Sequence, residues 1–569
     1  MTRLPRPSVL THSNHMMQSN PVKRTLSTVW TSCVFLMIAC MLHSQHADGG
    51  EMMSPAIASQ LQLEEAWRRQ TSVPGGEQSI VDQQVHVHQA SPRVYVEIVK
   101  TADAAAAPAT DSAKPDGTAK PDGNVLFRIP TDQADTNGLP IGEEEAKRLA
   151  RAEIRRLTRR GITAEITTRS VPRVNLYTAC DDGTIECRNA ETGEPIWLSH
   201  VGDPRLVYGT MGIGDEFLTI TNGGNLIKLD ISDGVEVNSV RTSGTPLYGA
   251  IHSGSYSLVA TIRSSVEGYP LGDTTRDPFM EIVTGIALSP PTKAPDSTRV
   301  AWATDQGFVY VMELSGEPSV LFRLDTDGIV SGRIASASGN RFFFGSESGQ
   351  VYGIRGTRLG DVLWSRPYGE PFYSAPMVVD DQVLLRSAYG NLYSLGTVDG
   401  ISKWTKPIAG IDRMIGAFDG KLYVRTLSSA FAVIDLETGK MDAIYSSFRP
   451  NRLLVNRETN RLYFVNETGA VQCMRPVGTK MPTFMTNEDI EETPEGIAPA
   501  ATQPLKMDPL DNPADPFGAA DPFATPAAPA PAGGDPFGAG AAADPFAGGA
   551  DAAGGGEMAD PFGGDPFGN

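Results

Sequence analysis

Between Val174 and Pro476, short apolar runs alternate with polar turn residues at a nearly fixed step. Phe342-Phe343-Phe344, Val383-Leu384-Leu385, Leu422-Tyr423-Val424 and Leu462-Tyr463-Phe464 each precede a turn, while Val351-Tyr352-Gly353-Ile354 and Leu392-Tyr393-Ser394-Leu395 follow one with period-two alternation. Runs of β-branched and aromatic residues bounded by Gly, Asp and Asn predict strands paired in hairpins. The fullest copy of the phrase reads Leu176 to Ile185, then Glu191-Thr192-Gly193 and Trp197. Aligned on Gly183, it returns at Gly224, Gly307, Gly349, Gly390, Ser429 and Gly469, with a degenerate copy near Ser265, at a step of about 41 residues. A second turn follows at Asp233-Gly234, Asp399-Gly400 and Thr438-Gly439, and Trp364 and Trp404, like Trp197, come just after such turns. No sustained helical period interrupts this region.

Four strands per repeat cannot bury both faces of a small sheet, and stacking the sheets in a ring solves that. The expected fold is all-β: an eight-bladed β-propeller over 162–476, or seven blades if the degenerate copy is only a loop. The last repeat lacks an outer strand after Cys473-Met474-Arg475-Pro476, so an N-terminal strand must complete it. The expected candidates are Val125 to Ile129 and Ala164 to Thr168; if the second serves as the first inner strand, the first closes the ring.

The ends differ in kind. Residues 1–50 carry Arg3, Arg6, Lys23 and Arg24 ahead of the apolar stretch Cys33 to Leu42, and then small and polar residues, the pattern of an export signal. A short uncleaved anchor is the alternative, although the stretch is short for a span of about twenty residues. Ala39-Cys40 also looks like the end of a bacterial lipoprotein box, which makes Cys40 a lipidation candidate. Residues 51–141 form a mixed prelude: a helix capped by Ser54-Pro55 and running through Leu61, Leu63 and Trp67, a strand from Arg93 to Val99, and a low-complexity linker over 101–123. Residues 142–160 predict a helix whose Glu143-Glu144-Glu145 start and Arg155, Arg156, Arg159 and Arg160 end suit the helix dipole. Its thin apolar stripe of Ala150, Ile154 and Leu157 predicts packing on the ring, with docking on an anionic surface as the competing reading. Over 486–569, Ala, Pro, Gly and Asp predict disorder.

That tail repeats Asp-Pro-Phe, placing Phe517, Phe523, Phe537, Phe546, Phe562 and Phe567 along an acidic chain, the layout of a multivalent ligand or of a spacer. The tripeptide resembles the peptides bound by eukaryotic endocytic adaptor appendages, which work in a compartment that an exported chain does not reach. A net charge of −19 argues against nucleic acid as a partner. Outside the export segment the cysteines are Cys180, Cys187 and Cys473, and no cysteine spacing suits a zinc site. Cys180 and Cys187 flank the first hairpin turn as a disulfide candidate, the alternative being small buried hydrophobes. Only His200 and His252 fall within the expected ring, His86 and His88 belonging to the prelude, so no histidine site is expected.

The repeat phrase of Leu176 to Trp197, nearly matched by Ala430 to Gly439, resembles that of the pyrroloquinoline-quinone-type propellers over just more than half of the chain. That superfamily includes quinone-dependent dehydrogenases, the propeller lipoprotein of the outer-membrane β-barrel assembly machinery, and cofactor-free binding proteins. The enzyme branch implies a cofactor held between a tryptophan floor and a disulfide of adjacent cysteines, with calcium or a lanthanide bound by acidic and amide side chains. No two cysteines are adjacent here, so no cofactor and no catalytic or metal residues are expected, although oxygen ligands for calcium from scattered loops stay open. The expected function is a non-enzymatic extracytoplasmic scaffold for a protein partner in the cell envelope, with membrane association through the N-terminal segment. A quinone- and calcium-dependent alcohol or sugar dehydrogenase is the alternative. The irregular copy over 253–291, with Tyr269, Arg276, Phe279 and Met280 expected to project from one face, is the candidate contact region.

Overall fold

A computed structural model of the chain describes residues 51–101, 124–135, 138–272, 276–295 and 297–485. The expected export segment with Cys40, nearly all of the expected linker, and the tail with Phe517, Phe523, Phe537, Phe546, Phe562 and Phe567 lie outside the described residues.

The described strands form eight antiparallel sheets. Sheet 1 is built from β2 (Ile80–Lys100), β4 (Ala164–Cys180), Thr184–Asn189 and Pro195–His200, with β3 (Val125–Pro130) on the outer flank of β2. Sheets 2 to 7 follow in order over 212–241, 251–282, 292–325, 335–367, 377–396 and 411–445. Sheet 8 takes 452–476 and, as its outer strand, β1 (Leu63–Gln70). Each sheet runs from an inner to an outer strand, and sheet 6 alone has three strands, an isolated bridge between Leu395 and Ser402 standing in for the fourth.

Buried clusters join every sheet to the next. Tyr177, Trp197 and Leu218 bind sheets 1 and 2, and Leu226, Val259 and Tyr269 bind sheets 2 and 3. Comparable cores follow around the molecule to Phe431 and Phe464 between sheets 7 and 8, and finally Trp67, Tyr463 and Leu176 between sheets 8 and 1. This closed cycle is the arrangement of a β-propeller, in which no sheet leaves its apolar face in water.

Closure differs from the sequence expectation. The strand that completes sheet 8 is β1, paired with Ala470–Pro476 from Leu63↔Pro476 to Gln70↔Ala470. The expected prelude helix therefore stops early: α1 spans only Pro55–Gln60, capped by the Ser54 side chain, and Gln62 at φ 60° turns the chain into the strand. Trp67 explains the preference for strand. Its ring covers Gly193 and its Nε1 donates to Ala190 O at 2.9 Å, as Trp197, Trp364 and Trp404 do over Gly234, Gly400 and Gly439 with the carbonyls of Ile231, Thr397 and Leu436. Trp67 is thus the outer-strand tryptophan that the last repeat lacks in its own segment.

The inner strand of sheet 1 is the first half of β2, where the Ile80↔Cys180 to His88↔Arg173 pairing runs, not Ala164 to Thr168. Past a bulge between His88 and Arg93, β2 and β4 continue together out of the ring as an arm. There β3 pairs with β2, and α2 (Gly142–Thr158) packs Ala146, Ala150 and Leu157 onto Val96 and Ile98. The basic helix accordingly packs on the arm rather than on the ring. Topologically, 89–172 is one long insertion into the turn between the first two strands of sheet 1.

Candidate functional site

Strand order defines two faces. One carries the connections between sheets together with the turns joining second and third strands; it is called here the connector face. The other carries the turns between first and second strands, and therefore the arm; it is the arm face.

The connector face exposes apolar side chains around sheets 6 and 7. Tyr373 lies in the connection from sheet 5 to sheet 6, Tyr389 in the second turn of sheet 6 and Leu427 in the equivalent turn of sheet 7, and Tyr389 is 66% exposed. They are neighbours by construction. Ala388 N donates to Pro371 O at 2.7 Å, and a Cβ on Gly390 would stand 3.0 Å from Leu427 Cδ1. Arg386 is held beside them by Ser374 Oγ at 2.8 Å. Exposed aromatic rings next to an arginine are the composition found at the centres of protein interfaces.

On the arm face a cavity of about 1490 Å³ lies among the first-to-second-strand turns of the ring. Its lining mixes apolar side chains with charged ones of both signs, Asp215, Lys293, Arg299, Glu313, Arg457 and Glu458 among them. Arg457 reaches solvent but is ringed by protein, and this confinement, with Arg333 nearby, pushes its guanidinium down to about 10. The Glu313 carboxyl is held near 2; burial opposes this, but hydrogen bonds from Thr298, Ser315 and Arg299 outweigh it.

At the cavity wall, where the arm leaves the ring, stand His86, His88 and Asp215. His86 and His88 share one face of β2, because alternate residues of a strand do. Asp215 comes from the first turn of sheet 2. His86 Nε2 and His88 Nδ1 each lie 3.5 Å from the same Asp215 Oδ1. The second Asp215 oxygen accepts the Ala90 N–H at 3.1 Å. Burial pushes the His88 imidazole down to about 4, and the facing His86 ring is the main influence holding the Asp215 carboxyl near 2. The sequence reading missed this group because it placed His86 and His88 outside the ring. An alternating His-Val-His in the strand was the available signal.

The other expected site residues fare differently. Of the irregular copy, Arg276 and Met280 are exposed, but Tyr269 does not project. It is buried, donating to Glu267 Oε2 at 2.5 Å and accepting from Ser243 N at 3.2 Å. Phe279 lies across Gly268, opposite it in register, and meets Tyr256 edge-on at 5.1 Å. The segment is a regular four-stranded sheet whose glycine makes room for that ring. The Cys180–Cys187 disulfide is also corrected. Cys187 pairs in register with Tyr177, so Cys180, three residues further along β4, points to the opposite face. Cys180 packs between sheets 8 and 1 and Cys187 between sheets 1 and 2, and both are free buried thiols pushed up to about 12 by burial.

A family model described as outer membrane protein assembly factor BamB matches residues 294–502. The ring is similar to BamB. The crystal structure of BamB from Moraxella catarrhalis has 18% identity and a TM-score of 0.43, over 53% of this chain and 91% of that one. A computationally designed protein, Ika8, has 14% identity and a TM-score of 0.41 over 52% of this chain and 92% of its own. Saccharomyces cerevisiae Sqt1 has 10% identity and a TM-score of 0.42 over the same shares. No curated protein matches the chain. Among the described residues no helix is long and apolar enough to cross a membrane.

The quinone cofactor of the enzyme branch does not fit the residues present. Trp197, Trp364 and Trp404 are committed between sheets by their hydrogen bonds to neighbouring carbonyls, and among the described residues neither a tryptophan nor a cysteine lines the BamB-like ring's cavity.

Proposed function

We propose that this chain is an eight-bladed, non-enzymatic, extracytoplasmic propeller that holds a protein partner of the cell envelope on its connector face. The observation that carries the reading is the exposed Tyr373, Tyr389 and Leu427 patch on a ring whose sheets are locked to one another by buried cores. A rigid platform loses little conformational entropy on binding, so a few aromatic anchors suffice for a specific contact. The match to an assembly-factor family supports the same class of role. In this reading the N-terminal segment, with Cys40 as its lipid-bearing residue, tethers the ring at the membrane. The Asp-Pro-Phe phenylalanines, with Arg276 and Met280, supply further weak contacts.

The test places a photo-crosslinking amino acid at Tyr389 on the connector face and, separately, at the exposed Ile444 of an outer strand, in cells fractionated before analysis. A discrete adduct at position 389 in the envelope fraction, absent at 444 and removed by Tyr373→Ala with Leu427→Ala, is expected. Equal labelling at the two positions, or a chain confined to the cytosolic fraction, overturns the proposal.

A further inference from the structure

His86, His88 and Asp215 take no part in the connector-face reading, yet they are organised as ligands. One donor atom from each lies within 4.8 Å of the other two. A tetrahedral ion with metal–ligand bonds of about 2.0–2.1 Å sets its ligand atoms about 3.4 Å apart. The two separations to Asp215 Oδ1, both 3.5 Å, match that spacing.

The surroundings fix each donor. His88 is nearly fully buried, and its Nε2 stands 2.8 Å from the Tyr177 hydroxyl, which also accepts from Asn175 Nδ2 at 3.2 Å. With the Nε2 proton directed to that oxygen, the lone pair is on Nδ1, facing Asp215. Ligating histidines are ordinarily oriented by such a second hydrogen bond. Asp215 is fixed by the Ala90 amide. His86 Nε2 is shielded from solvent and has no hydrogen-bond partner, because 3.5 Å to Asp215 falls short of one in geometry. A buried nitrogen left so calls for an explanation, and an unfilled coordination bond provides one. His86 and Asp215 line the large cavity of the ring, while His88 and Asp215 line a smaller one of about 500 Å³, so open space adjoins the group.

We propose that His86 Nε2, His88 Nδ1 and Asp215 Oδ1 bind one divalent transition-metal ion of the zinc class, with a remaining coordination position open to the large cavity. Two imidazoles and one carboxylate suit zinc, cobalt and nickel, whereas calcium and magnesium favour all-oxygen sets. The ion joins β2 at the root of the arm to the first turn of sheet 2, bracing the point where the bulge interrupts the ladder. This inference rests on geometry alone and is independent of the scaffold reading.

Zinc alone is titrated calorimetrically into the full chain after treatment with a chelator, and cobalt is used as an absorbing substitute. The expected result is a site of unit stoichiometry, tetrahedral cobalt bands, and a melting temperature raised by zinc. His86→Gln and Asp215→Asn, both at partly exposed positions, each weaken zinc binding by about 100-fold and remove the thermal shift. The exposed His200→Gln serves as a control expected to change neither. Circular dichroism and melting without metal establish that the variants fold. Zinc binding of equal strength in folded His86→Gln and Asp215→Asn proteins overturns the site and assigns the binding to other histidines, such as His12, His15, His43 and His46 of the N-terminal segment. Absence of zinc binding by the parent chain overturns it as well.

Discussion

At the scale of single residues, burial has put two imidazoles where protonation is expensive. His88 is held down to about 4 and His252 to about 3, from an ordinary value of 6.5, in both cases chiefly because the ring is removed from water. Unfolded, both rings bind a proton near 6.5; folded, they resist until much lower pH. The unfolded state therefore takes up more protons as pH falls from 6.5, and folding stability declines through that window. For His88 the shift corresponds to about 3 kcal/mol. Denaturant unfolding in the presence of a metal chelator should show the midpoint falling steadily from pH 7 to about pH 5.5, above the range where the Glu313 and Asp215 carboxylates begin to contribute. His88→Gln should flatten that decline, and a midpoint unchanged over this range would refute the assignment. The repeat phrase is also a residue-scale device. Ser429 occupies the turn position held by glycine in most copies and does so at φ 62°, so the alignment that put Ser429 in phase with Gly183 and Gly390 identified a true backbone equivalence.

Among elements, β1 and the arm are the informative ones. Trp67 buries its ring between sheets 8 and 1, covers Gly193 and satisfies its indole N–H, so Trp67→Ala removes both the packing and a bond that closes the ring. A loss of about 3–5 kcal/mol is expected by chemical denaturation. The arm behaves oppositely. Since His88 and Arg173 face each other in register, replacing 89–172 by a two-residue turn leaves the ring ladder intact, and the shortened chain should melt cooperatively with ring-like circular dichroism. The sequence made the arm hard to see because a single strand, β2, belongs to the ring at one end and to the arm at the other. Local patterning reports strand in both parts and says nothing of where the partner changes allegiance.

At the scale of the whole molecule, the ring is held shut by more than strand pairing. Arg461 in sheet 8, with no side-chain exposure, reaches Glu191 in sheet 1 with Nη2 to Oε2 at 2.8 Å and also donates to Asn460 Oδ1 at 2.8 Å. Removing one member leaves the other charge buried and unpaired, which is costlier than losing the pair together. Arg461→Ala should therefore cost about 3–5 kcal/mol in unfolding experiments, and Arg461→Met with Glu191→Gln should cost less than Arg461→Ala alone. Additive losses would mean that the two side chains are not coupled. The same closure keeps the turn that presents Asp215 opposite β2 and keeps the connector-face turns of sheets 6 and 7 side by side, so both proposed surfaces depend on it.

The sequence by itself determined the hairpins, their step along the chain and the need for an N-terminal strand, because each follows from alternation, turn chemistry and burial within about forty residues. It also determined that Trp197 and Trp364 sit on outer strands, whereas Trp404 packs in the same way from a segment of sheet 6 that forms no fourth strand. Only the tertiary structure decided which strand closes the ring, on which faces of β4 the thiols point, and that His86-Val87-His88 meets Asp215 across a sheet boundary. Those outcomes depend on register and on contacts between residues more than a hundred positions apart, and several N-terminal segments of comparable apolar content compete for each place. The choice is made by side-chain fit, as when the Trp67 ring finds Gly193, and such fit has no signature in either partner's local sequence.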